Sequence, residues 1–203
     1  MHRPTFVLTA ALFLGAAVAA TAAGLPAGWK AREETLDYDM IRDVETTHAG
    51  TASASLRSMG IPLGGGTLLQ AFLAEEYRGR RVRMSASVKT LEVLDWCGLW
   101  MRVDGDQKDN IAFDNMAGRK ITGTRDWATY TVVLDVPSNA AEIYFGILLS
   151  GRGRVWADDF SFEIVGKDVK TTSMRTEPTP RVRPLANDLL KHPVNLGFEE
   201  ESP

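Results

Sequence analysis

The chain has 203 residues, of which 44% are hydrophobic and 24% charged, enough for one globular domain or at most two small ones. With 23 Lys and Arg against 26 Asp and Glu, its net charge of −3 excludes the strongly basic face of a general nucleic-acid binder. The content of 18 Gly, 9 Pro and 8% aromatics argues against disorder and against a long helical bundle, and the lone Cys97 excludes a disulfide framework or a Cys-based zinc site.

Residues 1–22 read as an export leader. His2 and Arg3 precede an apolar run from Phe6 to Ala20, followed by small residues. The run is shorter than the roughly 20 residues that span a bilayer. Cleavage after Ala22 is preferred over cleavage after Ala19. The mature chain is then expected to be secreted or periplasmic, with no transmembrane anchor.

From Leu36 onward, alternation of period two and turn residues dominate. The pattern predicts strands at Leu36–Val44, Ala52–Ser58, Thr67–Phe72, Val82–Thr90, Cys97–Val103, Asn110–Phe113, Tyr130–Val136, Glu142–Leu149 and Val155–Val165. Turn signals such as Gly64-Gly65-Gly66, Asp104-Gly105-Asp106 and Gly151-Arg152-Gly153 separate them. Leu73–Tyr77 reads as a single helical turn. So many short strands must bury one face each against a second sheet, which predicts an all-β, antiparallel β-sandwich of jelly-roll type over residues 25–166. Residues 167–203 turn polar and Pro-rich, as an extended C-terminal strap with a short helical turn at Leu185–Lys191 and a final strand at 194–199.

Alternation also assigns faces. Cys97, Leu99, Met101 and Val103 form one apolar side, facing the core, so Cys97 reads as a small buried hydrophobe. Trp96, Gly98, Trp100 and Arg102 form the other side, which puts two indoles and a guanidinium on the outer face of the sheet. Tyr144 has the parity to join them.

Several phrases occur together in a characteristic order. They are Leu25-Pro26-Ala27-Gly28-Trp29, Gly50-Thr51-Ala52-Ser53-Ala54-Ser55-Leu56 and Tyr77-Arg78-Gly79-Arg80-Arg81-Val82. Next come Leu99-Trp100-Met101-Arg102-Val103-Asp104-Gly105, Phe113-Asp114-Asn115-Met116, Gly123-Thr124-Arg125-Asp126-Trp127 and Val155-Trp156-Ala157-Asp158-Asp159-Phe160. In this order, over Leu25 to Val165, the chain resembles the galactose-binding-like jelly rolls related to carbohydrate-binding modules. Its likeness is to a bacterial subgroup found alone or fused to hydrolase and transcription-regulator domains. The resemblance implies a non-catalytic binding fold and leaves the ligand open.

Related modules begin with an Asn-x-x-Phe-Glu strand before the Gly-Trp phrase. Here Asn195-Leu196-Gly197-Phe198-Glu199 stands at the far end instead. The tail is therefore expected to return and complete the sandwich, either in its own chain or in a strand-swapped dimer; the competing reading is a vestigial tail left from a longer multidomain ancestor.

Trp96, Trp100, Arg102 and Tyr144 are the candidate ligand-binding set. Indole faces stack on sugar C–H faces, and a guanidinium forks onto hydroxyls or carboxylates. The competing expectation is that the strap covers these indoles. Asp114 and Asn115 either fix ligand hydroxyls from a loop or close Asx-turns on their own backbone. Asp158, Asp159 and Glu199 form a candidate calcium set, as the resemblance places a structural calcium in this region; otherwise they bind loop amides. No other cofactor is implied. For catalysis there is no Gly-x-Ser-x-Gly and no His-Glu-x-x-His, and the mature chain keeps only His48 and His192. The reading is an exported non-catalytic module that binds carbohydrate or another envelope component. The alternative is a protein-interaction or assembly module that exchanges its C-terminal strand.

Overall fold

A computed structural model describes residues 24–33, 37–174, 177–181 and 189–202. The leader assigned to residues 1–22, and most of the helical turn at Leu185–Lys191, lie outside the described residues. In chain order the strands are β1 Lys30–Glu33, β2 Tyr38–Asp43, β3 Ser53–Ser58, β4 Gly65–Leu73, β5 Arg81–Gly105, β6 Lys108–Asp109, β7 Ala112–Asp114, β8 Ile121–Asp135, β9 Ala140–Ser150, β10 Arg154–Val165 and β11 Thr179–Pro180. A single 3-10 turn, Glu75–Tyr77, falls where the helical turn was expected.

The architecture is an antiparallel β-sandwich of jelly-roll type. One strand builds it: β5 runs through 25 residues and belongs to both layers. Its first part, Arg81 to Leu91, lies between β8 and β10, and β3 and β2 extend that back layer. Its second part, Trp96 to Gly105, pairs with β9 and with β7, and β4 and β1 extend the front layer. The sequence predicts two strands here, separated at Leu91–Trp96. They are one strand, bent where Glu92 takes a φ of 51° and the pairing with β8 shifts register. A bend of this kind turns the strand from one layer into the other without a loop.

The core fills the space between the layers. Val82, Met84, Ala86 and Val88 point inward from the back layer, and Cys97, Leu99, Met101 and Val103 from the front. Aromatic edges weld the two layers: Phe145 meets Phe162 at 4.8 Å, and Phe72 meets Phe162 at 5.4 Å, both near perpendicular. Such edge-to-face pairs add about 0.5–1.5 kcal/mol each beyond burial.

The final strand expected at 194–199 does not form. Asn195 and Phe198 take φ values of 48° and 58°, and the Phe198 amide donates to the Asn195 carbonyl, so the segment is a turn. It nevertheless returns to its own sandwich. Phe198 is fully buried, 4.8 Å from the Trp29 ring, and the Trp29 indole donates to the Asn195 carbonyl at 3.1 Å. The Phe160 amide donates to the Leu196 carbonyl at 3.0 Å. Gln70 stitches both ends together by donating to the Gly28 and Val194 carbonyls and accepting from the Val194 amide. A side-chain plug with a few amide contacts replaces a ladder.

The strap begins at a basic cluster. Arg81 pairs with Asp135 and also donates to the Lys167 and Val169 carbonyls, while Lys167 reaches Asp135 at 2.7 Å. It then runs along the β8 and β7 edge, where the Thr172 amide donates to Val133 and the Met174 amide to Phe113. It closes on the β6 hairpin through β11.

Candidate functional site

The outer face of the front layer is set by register. Trp96 opposes Ser150, Gly98 opposes Leu148, Trp100 opposes Gly146, and Arg102 opposes Tyr144 across the β5–β9 pair. Leu148 and Gly146 oppose Thr67 and Leu69 on β4, and Arg32 of β1 opposes Thr67. Odd and even positions thus make one continuous surface from β1 to β5.

Half of this surface is an open cleft of about 630 Å³. Trp96 and Trp100 form one wall, Thr67, Leu148 and Ser150 its floor, and Arg32 with Leu63 the opposite side. Both indoles are half-buried, and no described residue of the strap lines the cleft. The Trp100 indole reaches over β9 to donate to the Thr67 hydroxyl at 2.8 Å. Opposite it, Gly146 is required: a Cβ there would stand 2.0 Å from the Leu68 carbonyl oxygen. Thr67 in turn donates to the Ile147 carbonyl at 2.9 Å. Lys120 stands 5.4 Å from the Trp96 ring and 3.9 Å from Asp95, which also accepts from Ser150 at 2.6 Å.

The other half is closed, and Arg102 and Tyr144 lie there, outside the cleft lining. The Arg102 guanidinium sits 4.6 Å over the Tyr144 ring and pairs with Asp104 at 2.9 Å. Tyr144 donates to Glu142 at 2.8 Å. From the strap, Arg181 inserts against Glu142 at 2.6 Å and Asp109 at 3.3 Å, and donates to the Gly105 carbonyl. Glu142 and Asp104 are both fully buried, so the cations beside them stand in for lost solvent. The expectation that the strap covers the indoles is not met among the described residues: the strap lies over the Arg102–Tyr144 end instead, and none of its described residues lines the cleft beside Trp96 and Trp100.

Asp114 and Asn115 are not cleft residues. Asp114 projects inward at the β7 edge, where Arg119 grips its carboxylate at 2.9 Å from two nitrogens and donates to the Thr131 carbonyl of β8. That bridge closes the gap between the layers. Asp114 also accepts from the Met116 amide, and Asn115 from the Ala117 amide, which are the Asx-turns weighed from the sequence. The loop they shape covers Gly98, whose added Cβ would stand 3.0 Å from Met116.

Asp158, Asp159 and Glu199 do not converge. Asp158 accepts the His48, Ala49 and Asp159 amides, and burial, the largest influence, raises its pKa although those amides oppose it. Asp159 pairs with His48 at 2.7 Å, and Glu199 accepts the Thr51 amide at 3.0 Å and the Thr51 hydroxyl. Thr51 holds the Glu199 pKa below the usual carboxylate range. Among the described residues, no group of three or more His, Cys, Asp or Glu is placed to hold a metal ion.

Sequence reasoning missed Arg32, Leu63 and Thr67. The Gly64-Gly65-Gly66 run reads in the sequence only as a turn signal. Its glycines were the available signal, because they let the chain turn beside a groove without filling it.

No protein-family model matches the chain. It is 43% identical over 166 residues to the uncharacterized HTH-type transcriptional regulator YbfP of Bacillus subtilis, a match covering 81% of this chain. The chain spans about half, 53%, of the length of that curated relative. Among solved structures it is similar to the xylan-binding CBM22-1 domain of Paenibacillus barcinonensis Xyn10C, at TM-score 0.50 and 14% identity, covering 71% of this chain and 90% of that one. The CBM22-1–GH10 modules of Clostridium thermocellum xylanase 10B complexed with xylohexaose match at TM-score 0.51 and 14% identity, over 68% of this chain and 26% of that one. The enzymatically active domain of bacteriophage CBA120 tailspike protein 4 matches at TM-score 0.53 and 14% identity, over 68% and 20% respectively. These likenesses show the β-sandwich fold of carbohydrate-binding modules. Among the described residues, no helix is long and apolar enough to cross a membrane.

Proposed function

We propose that the protein is an exported, non-catalytic carbohydrate-binding module whose ligand lies in the Trp96–Trp100 cleft. The observation that carries this reading is a pair of half-buried indoles walling an open groove, one of them fixed in place by Thr67. A rigid aromatic wall loses little entropy on binding and offers a flat apolar surface to a pyranose. That one structural relative is a xylan-binding domain and another contains a CBM22-1 module in a xylanase complexed with xylohexaose supports the reading at the level of fold.

The test is a glycan array probed with residues 23–203, wild type beside Trp100→Ala. Selective signals that vanish in the variant support the module and locate its face. A blank array on well-folded protein overturns it.

The alternative of a protein-docking or assembly module draws on a different observation. Ile61, Leu63 and Leu94 are exposed apolar side chains at the rim of the sandwich, with Leu63 92% accessible. The 43% identity to about half the length of an HTH-type regulator fits such a partner role. A mass that rises with concentration in light scattering favours this reading, and a constant monomer mass counts against it.

A further inference from the structure

The polar groups of the cleft are almost all spent on one another. Thr67 accepts from Trp100 and donates to the Ile147 carbonyl. Ser150 donates to Asp95, and Asp95 also faces Lys120. The Trp100 N–H is committed to Thr67. These groups hold the walls in place and have little left for a ligand. Arg32 differs. It lines the cleft opposite the indoles, its side chain is exposed, and among the described residues it has no ion-pair or hydrogen-bond partner. Among the described residues that line the cleft, Asp95 is the one acidic group, and it already faces Lys120 at 3.9 Å, so none of them balances the charge of Arg32.

We infer that the ligand of this cleft is an acidic glycan, and that Arg32 receives the carboxylate of a uronic acid residue while Trp96 and Trp100 stack on its pyranose ring. The inference rests on the carbohydrate reading of the same cleft. A guanidinium offers a planar fork of donors that matches a carboxylate in two parallel hydrogen bonds. The Trp100 indole reaches across β9 to Thr67 on β4, and Thr67 is the residue opposite Arg32 on β1, so the ring and the guanidinium stand at neighbouring positions of the same face. A pyranose stacked on the indole would then have its carboxylate edge directed toward β1. A neutral glycan would offer Arg32 only hydroxyl oxygens, which accept its N–H groups more weakly than a carboxylate and leave its charge unbalanced.

The experiment measures binding of the full chain to polygalacturonate, alginate and glucuronoxylan, each in native form and with its carboxyl groups reduced to alcohols. Dextran sulfate separates carboxylate recognition from general anion binding. The expected result is binding to at least one native polymer that weakens about tenfold or more on carboxyl reduction, as for loss of a charge-assisted pair. Arg32→Ala should remove that difference while leaving the melting temperature unchanged, and Arg32→Lys should restore part of it. Equal binding of native and reduced polymers, with both lost in Trp100→Ala, overturns the acidic-ligand inference but preserves the carbohydrate reading. A carboxylate preference that survives in Arg32→Ala, or dextran sulfate binding as tight as the uronic polymers, also overturns it. Binding to no polymer in either form overturns both readings together.

Discussion

Trp100 donates its indole N–H to the Thr67 hydroxyl at 2.8 Å, linking β5 to a strand that is not its neighbour. Because β9 lies between them, the bond holds the indole reaching across β9 toward β4. Sequence alternation places Trp100 on the outer face, but only this bond sets the plane that a ligand would meet.

Thr67→Val keeps the volume of the site and removes the acceptor. It should cost about 1–2 kcal/mol, the cost of leaving a part-buried N–H without a partner, read from urea unfolding. Trp100→Phe should cost a similar amount and weaken ligand binding, whereas Trp100→Ala should abolish binding. Full affinity in Thr67→Val would mean that the orientation of the indole does not matter.

Phe198 is fully buried against Trp29 and Phe160, so the tail acts as part of the core. Phe198→Ala should cost about 3–5 kcal/mol. Truncation after Lys191 should cost at least as much, because it also strips the partners of Gln70. Thermal melts report both changes, and an unchanged melting temperature would reduce the tail to an appendage.

Arg181 neutralises Glu142 in a fully buried position. Arg181→Ala should cost about 3–5 kcal/mol by stranding that carboxylate, and should speed proteolysis of the strap. Arg181→Met combined with Glu142→Leu should recover most of the loss, since the charge that needs a partner is then gone. If the single and double variants are equally unstable, packing and not charge holds the strap.

Asp135 is held at about 2, chiefly by its hydrogen bond from Arg81, with Lys167 assisting against the opposing effect of burial. Its folded pKa lies below the ordinary 3.8, so its contribution is complete above about pH 4 and fades as pH falls toward 2. The carboxylate is 47% accessible, so solvent screening keeps the effect to about 1 kcal/mol or less. Stability measured between pH 6 and pH 2.5 should fall less steeply in Asp135→Asn than in the wild type.

Burial pushes the Cys97 thiol up to about 12, with Arg125 opposing only weakly. The native protein should not react with a thiol-specific disulfide reagent at pH 8, and one equivalent should react after denaturation. Rapid labelling of folded protein would mean that the front layer opens at β5.

The amino-acid sequence by itself determined the class of fold and the faces of its strands. Period two is enforced by the backbone, so Cys97, Leu99, Met101 and Val103 had to share a side, and Trp96, Trp100 and Arg102 the other. The sequence also marked Asn195–Glu199 as a segment that comes back to the sandwich. Tertiary structure decided the rest. Left-handed φ values at Asn195 and Phe198 make that segment a turn, a choice that depends on the pocket beside Trp29. Asp114 looked like a loop ligand until Arg119, five residues on, folded back to bury it. Arg32 stands far from the indoles in sequence and joins their cleft only because β1 pairs with β4. The division of one face into an open groove and a strapped half depends on where Arg181 finds Glu142, more than thirty residues away. Local spacing dictates which way a side chain points, but which chain segment arrives opposite it follows from how the two layers close over their core.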